Sequence, residues 1–179
     1  MDKSKLVYLL KRSLAYWIDC IIAFAIVMLF IQQLILVKIR GYIGIDKDWF
    51  QDAWNMEIYV LLSISLPVWL YFAFQDSSTK KGSLGKKWMK LAVTQLENGK
   101  KLSFAKALSR TLLKLLPWEI AHLGIIFPEP MYFAEDPQIR ILSILGILLF
   151  LVYFLSISLN QKQQSLYDKW LNTHVHFYE

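Results

Sequence analysis

Three long apolar runs constrain the fold of this chain more than any other feature of its sequence. They cover residues 14–37, 58–74 and 141–159. A helix needs about 20 apolar residues to cross a hydrocarbon core of about 30 Å, and each run approaches or exceeds that length. The 56% share of hydrophobic residues also exceeds that of an ordinary soluble domain. We therefore expect an all-α membrane protein in which residues 1–179 form a single domain.

The N-terminal segment must be distinguished from a cleaved signal peptide, which also begins with basic residues and then turns apolar. Four basic residues precede or open the first run, namely Lys3, Lys5, Lys11 and Arg12. A signal peptide has a short apolar region that ends in small residues suited to cleavage. Here the run continues for about twenty residues until Gln32 and Gln33, which predicts an uncleaved transmembrane helix.

The distribution of positive charge indicates which segments face the cytoplasm. The net charge is +6, and basic chains can bind nucleic acid. However, seven lysines lie in residues 75–104, where the only acids are Asp76 and Glu97. Lysine-rich segments beside apolar helices are typical of the cytoplasmic side of a membrane. We therefore expect a multi-pass protein of the cell membrane, with cytoplasmic segments 75–104 and 160–179, cytoplasmic N- and C-termini and no nucleic-acid partner.

Residues 105–127 are the ambiguous part of the topology. They are amphipathic at first and then mostly apolar, which also fits a helix on the membrane surface. The following residues 128–137 contain three acids and no lysine or arginine, as an external loop would. A helix of about 23 residues spans roughly 34 Å, and Pro117 would kink it. We favour four transmembrane helices over three with a surface helix. Their expected bounds are 14–37, 57–74, 105–127 and 138–159.

The lysine-rich segment contains signals for a short helix at the membrane surface. Ser83 is suited to cap a helix in which Leu84, Trp88 and Leu91 share one face. Three lysines of this segment are expected to contact the phosphates of anionic lipid head groups: Lys86, Lys87 and Lys90. Residues 82–87 lack the spacing of a phosphate-binding P-loop, so we interpret them as a turn and a helix cap.

A small β-hairpin or strand element is expected on the same side. Residues 91–97 and 100–102 flank Asn98 and Gly99, and an Asn-Gly pair tolerates the positive φ angles of a tight turn. Residues 173–178 alternate with a period of two, which is typical of a strand. If the tail strand pairs with the hairpin, both ends of the intervening chain lie on one side of the membrane. That arrangement again requires four crossings.

The sequence contains no strong pattern for a metal, a cofactor or catalysis. Cys20 is the only cysteine, which excludes an internal disulfide and a cysteine-based metal cluster. His174 and His176 alternate with apolar residues and lack a third ligand nearby, so we expect exposure rather than metal binding. No nucleophile lies at catalytic spacing from a base, and the only close carboxylate and histidine are Glu119 and His122. We expect neither a cofactor nor enzymatic activity.

A lone aspartate, Asp19, lies within the first apolar run, where an uncompensated charge costs about 2.5 kcal/mol or more. Arg12 is on the same helical face but roughly 10 Å away along the axis, too far for an ion pair. We expect Arg12 to reach the lipid phosphates instead. The expected partner of Asp19 is Arg110, with Lys114 one turn later on the same face. Contacts between buried aspartate and arginine also lock helices in register, so a purely structural role stays open.

Two further polar residues lie in the same amphipathic segment. Glu119 and His122 are three residues apart and share a helix face beyond Pro117, which favours a second polar layer nearer the outside. A path for ions or protons needs successive groups that can hold or pass charge. The candidate path consists of Asp19, Arg110, Lys114, Glu119 and His122.

Four segments, taken in order, resemble one family of membrane proteins. Residues 12–19 resemble its opening R-x-x-A-x-x-x-D pattern, and residues 83–86, followed by 91–93, are similar to its central T-x-G-K segment and strand. Residues 102–110 resemble the start of a helix that carries a further arginine, and residues 164–175 resemble the closing segment. The departures are Tyr167 in place of histidine, Ser83 in place of threonine and Asn172 in place of glycine. The chain thus resembles the RDD family of small bacterial and archaeal membrane proteins, named for one arginine and two aspartates.

The resemblance assigns Arg12, Asp19 and Asp168 as the family's motif residues. Read from the sequence, Asp168 also fits a helix cap or a contact to cytoplasmic lysines. Some family members have been proposed to exchange cations for protons, and others to regulate membrane proteins. The resemblance therefore implies a small transporter of monovalent cations and protons, which would need an oligomer such as a homodimer because four crossings are few. The alternative is a non-catalytic accessory protein whose cytoplasmic hairpin and tail bind another membrane protein.

Overall fold

The computed structural model describes residues 3–78, 82–136 and 138–178 and is mostly helical. The first helical stretch comprises α1 (Lys3–Ala25), a π-helical segment (Ile26–Leu36) and α2 (Val37–Ile43). Next come a 3-10 turn (Asp48–Gln51), α3 (Ala53–Val60), a second π-helical segment (Leu61–Ser65) and α4 (Leu66–Ser77). The remaining elements are α5 (Leu84–Trp88), β1 (Leu91–Gln95), α6 (Phe104–Ile126), α7 (Ile141–Leu159), α8 (Leu166–Trp170) and β2 (Thr173–Phe177).

Local signals in the sequence set the ends of the first two stretches. Gly44 follows α2 with a φ of +71°, a left-handed conformation that glycine adopts without strain and that commonly ends a helix. Asp52 precedes α3, and its carboxylate accepts a hydrogen bond of 2.9 Å from the backbone nitrogen of Asn55. This contact is an N-cap, because it satisfies a backbone donor that has no partner within the helix.

Three helical stretches are long and apolar enough to cross a membrane: Lys3–Ile43, Ala53–Ser77 and Ile141–Leu159. They contain the three apolar runs and so confirm a helical membrane protein. The first stretch begins at Lys3 rather than at residue 14, because lysine, leucine and arginine are good helix formers and extend the helix beyond its apolar part. The last begins at Ile141 rather than at residue 138.

The helix predicted over residues 105–127 is present as α6 and continues past Pro117. It is not among the three strongly apolar stretches of the described residues, because charged side chains interrupt it. These are Lys106, Arg110, Lys114 and Glu119. The helix itself is confirmed, and its passage through the membrane stays a prediction.

The two strands form an antiparallel sheet in which Val93 lies opposite Val175. The predicted turn at Gly99 forms, since the Gly99 nitrogen donates to the Gln95 carbonyl oxygen at 3.0 Å. The expected pairing of the tail strand with this segment is confirmed, whereas the second strand of the predicted hairpin is wrong: the tail, and not residues 100–102, supplies the strand that pairs with β1. Burial explains this choice: the tail offers an inward-facing valine, whereas most of 100–102 is exposed lysine.

The described residues divide into two compact units, each assembled from separate stretches of chain. The first unit comprises the described parts of Met1–Ala23, Trp69–Lys114 and Leu151–Glu179. Its apolar core joins α1, β1, β2, α6 and α7, with Leu91, Leu102 and Ala107 almost fully buried. The second unit comprises Phe24–Val68 and the described parts of Leu115–Phe150.

Within the second unit, helices α6 and α7 approach closely at Gly146. A Cβ atom at this position would lie 2.6 Å from the Pro117 carbonyl oxygen and 2.8 Å from the Ala121 nitrogen. Ser143 also donates a hydrogen bond of 3.1 Å from its hydroxyl to the Ala121 carbonyl oxygen. Small residues and serine hydroxyls at a helix contact are typical of association within a bilayer.

Candidate functional site

Asp168 is the centre of a buried network of ion pairs in the first unit. It lies in α8, which is capped by Ser165, and its carboxylate is fully buried. Arg12 donates to Oδ2 of Asp168, and Nε of Arg110 donates to Oδ1 at 2.9 Å. The hydroxyl groups of Ser165 and Thr173 donate to the same carboxylate at 2.7 and 2.9 Å. Each oxygen therefore receives a charged and a neutral donor, as a buried anion requires.

A second aspartate, Asp76 at the end of α4, extends this network. Nη1 of Arg110 donates to Oδ2 of Asp76 at 2.8 Å, and Nζ of Lys86 donates to Oδ1. The result is a chain of alternating charge, and all of its members are buried. In order, it contains Arg12, Asp168, Arg110, Asp76 and Lys86.

Arg12 also ties α1 to the C-terminal tail. Its Nη1 donates to the Tyr8 hydroxyl at 3.0 Å and to the Gln163 carbonyl oxygen at 3.1 Å. Tyr8 in turn donates to the carbonyl oxygen of Val175 in β2 at 2.9 Å. The Arg12 side chain thus contacts the tail at several points. Like Asp168, it joins separate elements of the first unit.

Asp19 is buried but receives only neutral donors among the described residues. The Ser83 hydroxyl donates to Oδ2, and the backbone nitrogen of Gly85 donates to Oδ1 at 2.8 Å. A Cβ atom at Gly85 would lie 3.0 Å from Cγ of Asp19 and would press against the carbonyl oxygen of Ala15. Glycine is needed here because α5 meets α1 through backbone atoms, and Asp19 holds the start of α5 in place.

The predicted pair between Asp19 and Arg110 is wrong. Arg110 binds Asp76 and Asp168 instead. Asp76 was overlooked because it follows the second apolar run, where an acid at a helix end is ordinarily solvated. It is buried because both Lys86 and Arg110 compensate its charge.

The predicted contact of Arg12 with lipid phosphates is also wrong. Because α1 begins at Lys3, Arg12 lies well inside the helix, and only 8% of its surface is exposed. The sequence argument that it lies too far from Asp19 for an ion pair agrees with the structure. Its partner is Asp168, at the other end of the chain, which binds arginines rather than the lysines considered from the sequence.

The three lysines expected to contact lipid phosphates have different surroundings. Lys86 is buried and bound to Asp76, so that expectation is wrong for this residue. Lys87 is partly exposed and Lys90 is exposed, and their lipid contact stays a prediction. Ser83 does precede α5, but its side chain makes no cap hydrogen bond. Its hydroxyl donates to Asp19, and the Gly85 nitrogen at the start of α5 also donates to Asp19.

Lys114 lies in α6 beside a small cavity of the first unit. Its Nζ is 3.3 Å from the centroid of the Phe72 ring, and only 7% of the residue is exposed. The cavity has a volume of about 40 Å³ and is also lined by Asp19 and Arg110. The predicted neighbours Asp19, Arg110 and Lys114 are therefore brought to one place, although they do not pair as expected.

The electrostatics outside the apolar helices follow from this geometry. Burial opposes ionisation of Asp168, but Arg110 and Arg12 more than offset it and hold the pKa of its carboxyl well below the ordinary value. Burial and the neighbouring His176 lower the pKa of His174. These two histidines are half-buried with stacked rings 5.8 Å apart, so the expected exposure is only partial.

The second unit contains another set of polar side chains within apolar helices. Oε2 of Glu119 accepts a hydrogen bond of 2.9 Å from the Ser65 hydroxyl. Glu57 interacts electrostatically with Glu119, and its Oε2 is buried without a hydrogen-bond partner among the described residues. Nδ1 of His122 is likewise buried and lacks a hydrogen bond in the described part of the chain. The sequence indicated Glu119 and His122 but not Glu57, which directly precedes the second apolar run.

A nearby hydrogen-bonded chain also belongs to the second unit. Nε2 of Gln32 donates to the Ser63 hydroxyl at 2.8 Å, and Ser63 donates to the Tyr59 carbonyl oxygen at 2.6 Å. The Tyr59 hydroxyl donates to Oε1 of Gln32. Gln32 was read as the end of the first apolar run, but it lies inside a continuous helix and is buried by these partners.

The described residues contain no group of three or more His, Cys, Asp or Glu side chains that could hold a metal ion. Cys20 is a free, partly buried thiol. The buried carboxylates of Asp19, Asp76 and Asp168 are instead held by arginine and lysine side chains, by hydroxyl groups and by a backbone nitrogen. The chemistry available at these sites is therefore ion pairing and the binding of protons or small ions.

Comparison with protein families identifies one match, a family described as the RDD family, over residues 6–172. The comparison with curated proteins yields no match. The comparison with solved structures yields none either. The matched region contains Arg12, Asp19 and Asp168, the three residues assigned from the sequence motifs.

Proposed function

The chain belongs to the RDD family, and from this membership we propose a multi-pass protein of the cell membrane with four crossings and both termini in the cytoplasm. The three apolar helical stretches support a membrane protein. The seven lysines of residues 75–104 support a cytoplasmic position for that segment. Lys87 and Lys90 on its surface would contact anionic lipid head groups.

The pairing of β1 with β2 supports α6 as the fourth crossing. Strands that hydrogen-bond to each other lie on the same side of a membrane, and α6 and α7 are the two long helices between these strands; the third, α8, has only five residues. Since α7 has the length and hydropathy of a transmembrane helix, the chain must cross once more to return to the same side. Helix α6 has 23 residues, enough for a length of about 34 Å.

For the activity, we propose that this protein exchanges a monovalent cation for protons at Glu119 and Glu57. The observations that carry this proposal are the hydrogen bond from Ser65 to Glu119 and the electrostatic interaction of Glu119 with Glu57, whose buried Oε2 has no hydrogen-bond partner among the described residues. Two neighbouring carboxylates repel each other when both are ionised, so a bound proton or cation relieves the repulsion. Carboxylate and hydroxyl oxygens are also the ligands that hard cations prefer. His122, one turn after Glu119, would pass protons to the pair.

The ion-pair network of the first unit has a different part in this proposal. The cavity there is lined by four cationic side chains and one carboxylate, an arrangement that repels a cation. Arg12, Arg110 and Asp168 would hold helices and tail together without binding the transported ion. The path once expected through Asp19, Arg110 and Lys114 is therefore replaced by one through Glu57, Glu119 and His122.

Transport by purified protein in liposomes tests this activity. We expect a sodium or potassium pulse to drive proton movement, detected by an enclosed pH-sensitive dye. Glu119→Gln should reduce it by at least about tenfold, because the amide carries no charge and cannot take up and release a proton. Glu129→Gln is the matched control, since Glu129 is exposed and its carboxylate accepts from the Gln138 amide. Full exchange by Glu119→Gln, or none by the wild-type protein, would contradict the proposal.

The alternative is a non-enzymatic accessory protein that binds another membrane protein. The observation in its favour is the small sheet, in which β1 and β2 pair with each other and each has a second edge without a paired strand in the described residues. An extended segment of a partner could add to such an edge. Recovery of a stoichiometric partner after gentle detergent extraction would favour it, whereas recovery of a homodimer alone would favour the transporter.

A further inference from the structure

The cavity of the first unit lies among an unusual number of buried charges. Its volume is about 40 Å³, and five ionisable residues line it: Arg12, Asp19, Lys86, Arg110 and Lys114. A space of about 10–15 Å³, measured in the same way, holds one water molecule. The cavity therefore has room for a small inorganic ion with a few water molecules, and it is too small for an organic anion.

The buried charges around this cavity do not balance. The first unit buries four cationic side chains, namely Arg12, Lys86, Arg110 and Lys114. In the part of the unit that the structure describes, three carboxylates are buried, those of Asp19, Asp76 and Asp168. Among the described residues of the unit, one buried cationic side chain is thus left without a compensating carboxylate, and an uncompensated buried charge strongly destabilises a folded protein.

Lys114 carries this excess charge. Arg12, Lys86 and Arg110 each bind Asp76, Asp168 or both, but no carboxylate oxygen of the described residues lies within 4.0 Å of Nζ of Lys114. Its close contact is the Phe72 ring, 3.3 Å away. A cation–π contact compensates only part of the cost of removing an ammonium group from water.

Arg110 offers a second donor near the same place. Its Nε and Nη1 bind the two carboxylates, and Nη2 makes no hydrogen bond among the described residues. Arg110 and Lys114 are four residues apart on α6, so both side chains project from one face of the helix. The one carboxylate on the cavity wall, Asp19, already receives hydrogen bonds from Ser83 and Gly85.

We propose that this cavity binds a small monovalent anion the size of chloride, held by Nζ of Lys114 and Nη2 of Arg110. The anion would neutralise the excess charge of the unit, and the apolar wall beside Phe72 and Leu91 would exclude a larger hydrated ion. The site does not include Glu57 or Glu119, so it stands or falls independently of cation exchange.

Thermal unfolding of the full-length protein in detergent tests the site. Sodium chloride is replaced stepwise by sodium gluconate at constant ionic strength, since gluconate is too large for the cavity. We expect the unfolding midpoint to rise with chloride, and to go on rising with the logarithm of its concentration above the dissociation constant, because a ligand that binds only the folded state stabilises it by RT ln(1 + [L]/Kd). Bromide should act like chloride. Equal midpoints in chloride and gluconate would overturn the proposal.

Two variants assign the effect to Lys114. Lys114→Met keeps the length of the side chain and removes its charge, so it should abolish the response to chloride and match or exceed the wild-type midpoint in gluconate. Lys106→Met is the matched control, because Lys106 lies on the same helix and does not line the cavity. A chloride response that persists in Lys114→Met would overturn the site. The wild-type titration alone can refute it, even if Lys114→Met does not fold.

Discussion

At the scale of the residue, the first unit depends on aspartates that receive many donors at once. Asp168 receives two arginines and two hydroxyl groups, and Asp76 receives Arg110 and Lys86. Buried carboxylates of this kind fix the positions of several elements because no donor can move without leaving a charge unpaired. The one arginine and two aspartates that give the family its name are therefore found here in structural contacts, and a fourth residue, Asp76, joins them.

Replacement of Asp168 by asparagine should test this role. Asp168→Asn keeps the shape of the side chain but leaves the buried Arg12 and Arg110 short of one negative charge. Removal of one partner of a buried ion pair typically costs about 3–5 kcal/mol, so we expect a large fall in the unfolding midpoint in detergent. Asp136→Asn is the control, since Asp136 is exposed and its change should have little effect. Equal midpoints for the two variants would contradict the role of Asp168.

The acidity of Asp168 gives the same prediction a pH dependence. Because the pKa of this carboxyl is lower in the folded state than its unfolded value of about 3.9, its contribution to stability is complete above that value and is lost as pH falls below it. The thermal unfolding midpoint of the wild-type protein should therefore decrease when the pH is lowered below about 4. The Asp168→Asn variant lacks this carboxyl, so its unfolding midpoint should decrease less than that of the wild-type protein over the same pH range.

At the scale of the element, the first unit is held together by backbone approach as well as by charge. Helix α5 meets α1 at Gly85, whose nitrogen binds Asp19 and whose missing side chain lets it reach the Ala15 carbonyl oxygen. The short helix then leads into β1, which pairs with the tail. A substitution that displaces α5 at Gly85 should therefore also displace β1 and weaken its pairing with β2.

A single methyl group at Gly85 tests this contact. Gly85→Ala should destabilise the protein, because the added Cβ would press on the backbone of α1 and on Asp19, and overpacking of this kind costs about 1–3 kcal/mol. Gly41→Ala in α2 is the control, since no atom lies within 4 Å of its Cβ and alanine favours helix by about 0.5–1 kcal/mol. The two variants should shift the unfolding midpoint in opposite directions. A neutral Gly85→Ala would contradict the close approach.

The elements themselves could largely be predicted from the sequence, whereas their partners could not. Apolar runs and amphipathic periodicity identify α1, α4, α6 and α7, because helix formation depends on neighbouring residues. The pairing of Arg110 with Asp76 joins residues 34 positions apart, and that of Arg12 with Asp168 joins residues 156 positions apart. Several acids and bases fit such contacts equally well in a linear sequence, and only packing selects among them.

At the scale of the whole molecule, the account depends on α6 as a transmembrane helix. If α6 crosses, Glu119 lies within the bilayer, as the proposed exchange site requires. Because of its four charged residues, hydropathy alone does not identify α6 as a transmembrane helix. The evidence for the crossing is the distribution of charge along the chain and the pairing of β1 with β2. These two kinds of evidence concern segments outside α6. The sequence could therefore indicate that α6 crosses the membrane but could not establish it.

Side-specific labelling of the two ends of α6 tests this central claim most directly. Cys20→Ser removes the only cysteine, and Glu135→Cys or Asn98→Cys then places one thiol at an exposed position after or before α6. In intact cells, a membrane-impermeant maleimide should label Glu135→Cys at once and Asn98→Cys only after the membrane is opened. Labelling of both thiols from the same side would mean that α6 does not cross, and it would contradict the account.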